Sequence, residues 1–229
     1  MRVLLLWDVD HTLVDNAGVS KEIYAATFEA ITGSPPTQPA RTGGRTDRRI
    51  MQGMFARHEL EMPAWHLVAR ELAQAGADRA EAMRTRGSVL PGVADAVRRL
   101  AGDRRFVQSV LTGNIRPNAE MKVCSLGLGR HLNFDIGAYG DDSDDRAELV
   151  AIAQQRAGQA TSKSFDAENT VLVGDTPRDV DAALRGGARI VAVATGVHSE
   201  AELTAAGASV VMSTMEKPSA LIAHLLALD

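Results

Sequence analysis

The chain has 229 residues, of which 45% are apolar, with a net charge of −4 and a single cysteine. That length supports one substantial core with room for one small additional module, and the even scatter of Lys, Arg, Asp and Glu leaves no basic stripe to neutralise a nucleic-acid backbone, so nucleic acid is excluded as an expected partner. The lone Cys124 excludes an intrachain disulfide and a thiolate-rich metal site; it is expected to be a small buried apolar residue on a helix.

The first apolar run, Val3-Leu4-Leu5-Leu6-Trp7, stops at Asp8. It is too short for a signal peptide or a membrane span, which predicts a cytoplasmic protein with no membrane partner. It reads instead as a buried strand. Residues 16–86 then read as helix throughout, with apolar spacing of helical period over 21–32, 47–60 and 64–86 and breaks at Gly33-Ser34-Pro35-Pro36 and Met62-Pro63. Leu90-Pro91-Gly92 marks the end of that stretch. Beyond it, short runs rich in Val, Leu and Ile at 106–111, 134–138, 170–173, 190–194 and 209–212 alternate with helical patterns at 93–100, 117–126, 146–156, 178–185, 201–206 and 219–228. Strands alternating with amphipathic helices are the pattern of a parallel sheet covered on both faces. The predicted architecture is therefore α/β: a Rossmann-like, doubly wound parallel-sheet core built from residues 1–15 and 87–229, with an all-helical cap domain, residues 16–86, inserted after the first strand.

Chemistry concentrates where predicted strands end. In Trp7-Asp8-Val9-Asp10-His11-Thr12 a buried strand runs directly into two acids one residue apart, and open parallel sheets bind ligands outside the carboxyl ends of their strands. Two neighbouring carboxylates repel when both ionise, and a divalent cation relieves the repulsion. A polar turn capping a helix would use the same residues. The segment Val171-Leu172-Val173-Gly174-Asp175-Thr176-Pro177-Arg178-Asp179 repeats the logic. Pro177 suits a first helical turn, and Asp179 then points back toward the loop that carries Asp175. Both acids would also favour a helix N-terminus electrostatically. A third strand end, Thr112-Gly113-Asn114, offers a hydroxyl and backbone amides suited to phosphate oxygens, or an ordinary strand-to-helix turn.

Together these segments resemble the haloacid dehalogenase-like hydrolases, specifically the phosphoglycolate-phosphatase-like branch with a helical cap. Asp8-Val9-Asp10-His11-Thr12 is similar to that family's first motif, Asp-x-Asp-x-Thr. Thr112 falls at the second motif and Gly174-Asp175-Thr176-Pro177-Arg178-Asp179 at the fourth. Two positions depart from the pattern. His11 stands where glycine is commonest, with a bearing on substrate access, and no lysine is well placed for the third, basic motif. Arg146, which opens a helix after a short acidic loop, is the preferred candidate there, against a solvated surface arginine; Lys122, in mid-helix, is the weaker one.

The resemblance implies a phosphatase acting on a small phosphomonoester. Asp8 attacks phosphorus to give an aspartyl-phosphate and Asp10 is general acid and base. Mg²⁺ is held by Asp8, the backbone carbonyl of Asp10, Asp175 and, through water, Asp179. Thr12, Thr112, Gly113, Asn114 and Arg146 face the phosphoryl group. The same resemblance leaves open a phosphosugar mutase and, third, a non-catalytic phosphate-binding protein. Family members that displace halide need neither the second acid nor a metal, so Asp10 and Asp175 favour phosphate. Within the inserted stretch, Thr42-Gly43-Gly44-Arg45-Thr46-Asp47-Arg48-Arg49 has the flexibility and charge to meet an anionic substrate, with Arg45 as the candidate contact; equally, Thr46 caps the next helix while Arg48 and Arg49 face solvent.

Overall fold

The computed structural model describes residues 2–227. Residue Leu228 of the expected last helix, and residues 1 and 229 of the expected core segments, lie outside them. In chain order, β1 (Val3–Trp7) leads to β2 (Val14–Asp15), which is followed by α1 (Val19–Thr32), α2 (Asp47–Arg57), α3 (Trp65–Ala77) and α4 (Ala80–Arg86). The chain continues through β3 (Ser88–Val89), α5 (Val93–Ala101), β4 (Phe106–Val110), α6 (Arg116–Ser125) and α7 (Arg146–Thr161). It ends with β5 (Thr170–Gly174), α8 (Pro177–Gly186), β6 (Arg189–Val193), α9 (Glu200–Ala205), β7 (Val211–Met212) and α10 (Pro218–Leu226).

Five strands form one parallel sheet in the order β4-β1-β5-β6-β7, with Trp7 in register with Val110 on one side and Val173 on the other. The chain steps from β1 outward to β4 and then crosses back past β1 to β5. The order therefore reverses at β1, and a crevice opens at its carboxyl end.

The pleat sorts each strand's side chains between two apolar layers. Val3, Leu5 and Trp7 of β1 face one layer, with Val171 and Val173 of β5; Leu4 and Leu6 face the other, with Leu172. The second layer is closed by α7, α8 and α9 through Leu149, Val150, Val180 and Leu203. The first is closed by α5, α6 and α10 and is continuous with Ile23, Phe28, Met54, Leu72 and Met83 of α1–α4. Each fully buried leucine in these layers contributes roughly 1.5–3 kcal/mol. Helices α1–α4 thus share a core with one face of the sheet. No helix among the described residues is long and apolar enough to cross a membrane.

Several expectations need correction. Residues 134–138 are not a strand: Phe134–Ile136 is a 3₁₀ turn, opened by the Asn133 side chain accepting from the backbone N–H of Asp135, and only Ala138 bridges Leu111 beside β4. The local Asx turn wins over the apolar content of the segment. The expected helix over 64–86 is two helices that part at Asp78 and Arg79. Near the break Gly76 lies against α6, where a Cβ would sit 2.0 Å from Asn118 Oδ1. Cys124 is exposed rather than buried, because α6 turns Asn118, Ala119, Lys122 and Val123 inward and position 124 falls off that face. The antiparallel pair of β2 and β3, Val14 opposite Val89, joins the two chain segments that flank α1–α4. Two residues per strand leave no periodic signature to read.

Candidate active site

The ends of β4, β1 and β5 lie side by side, so Thr112, Asp8 and Asp175 converge although they are far apart in sequence. The backbone N–H of Asp8 still donates to Val173 O at 2.9 Å, which extends the ladder of β1 one residue into the site. Asp175 follows Gly174, and Asp179 turns back from the first turn of α8 as expected. Its Oδ2 accepts from Thr176 N at 3.0 Å and from Thr176 Oγ1 at 2.7 Å, closing a capping box. The structural and chemical readings of this segment therefore hold together: the cap aims the carboxylate. Glycine is required at two approaches, since a Cβ on Gly174 would sit 2.5 Å from Asp179 Cβ and one on Gly196 would sit 1.9 Å from Asp175 Oδ2.

Asp8, Asp175 and Asp179 are all buried, and one carboxylate oxygen from each lies within 4.8 Å of the others. Arg146, at the start of α7, is buried too; it bonds Asp179, and its Nη2 lies 3.4 Å from Asp8 Oδ1. Three acids therefore face one cation. Burial, and then the charge of Asp179, push Asp8 up to about 7 and Asp175 up to about 9, with Arg146 pulling both the other way. Burial opposes charge on Arg146 as well, but Asp179 and Asp8 raise its pKa. A cluster of hard oxygen donors carrying more negative charge than its surroundings neutralise is the donor chemistry of a divalent cation site.

Asp10 stands apart from that cluster. Its Oδ1 accepts from Asn16 Nδ2 at 2.7 Å and its Oδ2 from Asn114 Nδ2 at 2.9 Å. Lys122, with 1% of its side chain exposed, places Nζ 2.9 and 2.6 Å from the two oxygens. Burial alone would raise Asp10, but Lys122, Asn114 and Asn16 hold it down to about 2. Sequence reasoning weighed Lys122 only as an alternative to Arg146; the structure gives the two cations different acids. The available signal was Asn118 and Lys122, four apart and so on one face of α6.

The remaining expected residues are distributed unevenly. Thr112 Oγ1 accepts from Asn114 Nδ2 at 3.1 Å, and Thr112, Gly113, Asn114, Arg45 and Arg146 all line the cavity over Asp8. Thr12 is fully buried and donates to Asp175 Oδ1 at 3.2 Å, so it sits behind a carboxylate instead of on the cavity wall. His11 adopts a left-handed backbone, φ 61°, which accounts for a preference for glycine at this position, and its carbonyl accepts from Thr195 Oγ1 at 2.6 Å. Thr46 caps α2 as the alternative reading had it; Arg48 pairs with Asp144 across 3.6 Å and lies over the Trp65 ring.

Residues 42–47 sit directly on the strand ends. Arg146 Nη1 donates to Gly44 O at 3.3 Å, Asp47 N donates to Gly113 O at 2.7 Å, and Asp47 accepts from Ile115 N and Tyr24 Oη. Burial pushes Asp47 up to about 6 against the pull of Lys122. Sequence reading missed Asp47 as a junction because it looked like one more acid in a helix's first turn. The cavity beneath this loop, partly open to solvent, measures about 190 Å³ and is also lined by Lys21, Tyr24 and Ile50.

Comparison with known proteins agrees with this geometry. The chain is 25% identical over 226 residues, 95% of its length and 92% of the relative's, to a probable phosphatase, IndB, of Dickeya dadantii (strain 3937). Its fold is similar to that of a hydrolase from Pseudomonas syringae, with a TM-score of 0.72, 18% identity and coverage of 98% and 99% of the two chains. It is similar also to a predicted phosphoglycolate phosphatase from Haemophilus somnus 129PT, with a TM-score of 0.68, 14% identity and coverage of 96% and 98%. A model of HAD-hydrolase-like chains matches residues 146–227, and the model described as haloacid dehalogenase-like hydrolase matches residues 5–184, from β1 through most of α8. That match covers most of the chain, and the chain belongs to the haloacid dehalogenase-like hydrolases.

Proposed function

We propose that the protein is a Mg²⁺-dependent phosphatase that hydrolyses a small phosphomonoester through an aspartyl-phosphate on Asp8. The buried convergence of Asp8, Asp175 and Asp179 on a single Arg146, at the carboxyl ends of adjacent strands, carries this reading. The curated relative's name, a probable phosphatase, supports it.

Mg²⁺ suits a site of few carboxylates completed by water, and would be held by Asp8, the Asp10 carbonyl and Asp175, with Asp179 acting through water; when bound it supplies charge neutralisation to the phosphoryl group. The protein's own groups do the rest. One Asp8 oxygen attacks phosphorus, the bond to the leaving oxygen breaks, and the covalent step divides one hard displacement into two easier ones. Arg146, Thr112 and the amides of Gly113 and Asn114 meet the transferring oxygens. Asp10 protonates the leaving alkoxide and then takes a proton from the water that hydrolyses the acyl phosphate. Thr12 steadies Asp175.

Residues 1–15 and 87–229 form the catalytic core in this reading, and residues 16–86 the cap that shuts out bulk water and selects the leaving group. Drug-sized ligand pockets run to about 300–1,000 Å³; a cavity of about 190 Å³ suits a small metabolite and does not suit a polymer. Lys21 and Arg45 on its wall favour a leaving group that carries a negative charge of its own. Phosphoglycolate, the substrate implied by the name of the Haemophilus neighbour, has that character.

Steady-state hydrolysis of p-nitrophenyl phosphate tests the activity: turnover is expected with Mg²⁺ and none after chelation, and no turnover with Mg²⁺ sinks the reading. Arg45→Ala is expected to raise KM for a carboxylated alkyl phosphate about tenfold, as loss of one exposed charge-assisted contact does. KM for p-nitrophenyl phosphate, which lacks the extra charge, should hold within about twofold. Equal changes for both substrates would remove Arg45 from the leaving-group site.

A further inference from the structure

Beyond the acids and Arg146, the site holds a second buried cation that the proposed chemistry does not yet use. Lys122 projects from α6 (Arg116–Ser125), and its ammonium spends all three donors at one place: on both oxygens of Asp10, at 2.9 and 2.6 Å, and on Asn114 Oδ1. Asn114 in turn donates to Asp10 Oδ2 and to Thr112 Oγ1, and Asn16 reaches Asp10 Oδ1 from the other side. The Asp10 carboxylate is therefore gripped on both oxygens by groups from α6, from the β4 loop and from the segment that enters α1. A fully buried lysine is an expensive space-filler, and an apolar side chain of similar volume would serve packing as well or better. What an apolar residue could not do is hold a carboxylate in one orientation.

We infer that Lys122 is a positioning residue for the leaving-group half of the reaction: it fixes the direction of the Asp10 carboxyl group, as Arg146 serves the phosphoryl half beside Asp8. The division follows from the distances, since the arginine's partners are Asp8 and Asp179 and the lysine's are Asp10 and Asn114. This rests on the reading of Asp10 as general acid, so the test separates the two.

General acid catalysis matters for an alkoxide leaving group and little for p-nitrophenolate, which departs without a proton. The quantity to measure is kcat/KM, which reports the step that forms the aspartyl-phosphate, for p-nitrophenyl phosphate and for an alkyl phosphate. A positioned proton donor is worth about 10²–10⁴-fold. Lys122→Met is expected to lower kcat/KM for the alkyl phosphate about 10²-fold and that for the aryl phosphate tenfold or less. Asp10→Asn should show the same selectivity, and Asp10→Asn/Lys122→Met should be no worse than Asp10→Asn alone, because the lysine acts only through the acid. Lys122→Gln, which keeps a hydrogen-bond donor, serves where the methionine variant fails to fold, with the same selectivity expected at smaller size. Equal loss for both substrates, or loss in the double variant beyond that of Asp10→Asn, assigns Lys122 to structure and overturns the inference. If Asp10→Asn is itself unselective, the general-acid reading fails and the positioning role goes with it, whereas selectivity in Asp10→Asn without it in Lys122→Met removes the lysine alone.

Discussion

Asp8→Asn is expected to lower turnover of p-nitrophenyl phosphate by about 10⁴-fold or more, the scale on which loss of a covalent nucleophile is felt, while yielding a folded protein that melts higher than the wild type in metal-free buffer near pH 8. The second half of that statement follows from the surroundings of the Asp8 carboxyl group. Asp8 is buried, and its pKa stands at about 7 because burial and the charge of Asp179 both resist its ionisation, with Arg146 only partly offsetting them. A group whose pKa is higher in the folded state than in the unfolded chain, here about 7 against 3.8, supports folding fully at low pH. That support is lost as pH climbs through the interval. The metal-free wild type should therefore lose stability from about pH 4 to about pH 7, and Asp175, pushed to about 9, extends the loss to higher pH. Replacing Asp8 by the neutral, nearly isosteric amide removes its share of that slope. Urea unfolding across the pH range checks the stability half, which equal slopes in wild type and variant would overturn; more than one hundredth of wild-type turnover in the variant would displace Asp8 from the role of nucleophile.

The second large effect is expected from the metal itself. At a Mg²⁺ concentration one hundredfold above its dissociation constant, binding to the folded state alone adds about 2.7 kcal/mol. For a chain of this size each 1 kcal/mol moves the melting temperature roughly 2–4 °C, so a rise of about 5–10 °C is predicted near pH 8. The sign with pH runs opposite to that of the metal-free protein. Protons and metal compete for the same oxygens, and Asp8 and Asp175 hold protons to about 7 and 9 when no cation is present; the increment at a fixed Mg²⁺ concentration should shrink steadily toward pH 5. Asp175→Asn should abolish most of it. Thermal melts at several pH values, with and without Mg²⁺, decide this. No increment at any pH, or an increment equal at pH 5 and pH 8, would mean that the acid cluster is held by Arg146 alone.

The two effects also constrain each other. In the metal-free protein the acid cluster is a liability that Arg146 and the Thr176 cap only moderate, and the same crowding is what makes a divalent cation bind. Asp10 behaves in the opposite way. Lys122 and two asparagines stabilise its charge at about 2, so its contribution to folding is present above the unfolded value of 3.8 and is lost as pH falls toward 2. One site therefore contains carboxylates whose affinities for protons are driven apart by their different neighbours, upward at Asp8 and Asp175 and downward at Asp10.

Much of this protein could be read from its residues alone, for a local reason. The run Val3–Trp7 and the centre of the next such run, Val171–Val173, are apolar at every position, as a strand buried on both faces requires, and the acids stand where those strands end. Alternation of such runs with amphipathic helices implies a parallel sheet, and a parallel sheet implies a site at its carboxyl edge, so Asp8, Thr112, Asp175 and Asp179 were legible as a set. What stayed hidden depended on partners distant in the chain. The turn at Phe134–Ile136 was masked because a short apolar run does not reveal that Asn133 will fold over it. Thr12 could not be placed behind Asp175, nor Asp47 between Tyr24 and Ile115, since each bond joins residues brought together only by the crossing of β1, β4 and β5 and the seating of residues 42–47 on them. Lys122 is the clearest case. By its sequence it is one lysine in the middle of a helix, and its ammonium meets Asp10 across 112 positions of chain only because α6 packs with that face inward against the end of β1. Residue type and strand patterning determined which acids gather; tertiary packing decided which cation each acid receives, because a hydrogen bond is set by distance in space and local sequence carries no record of it.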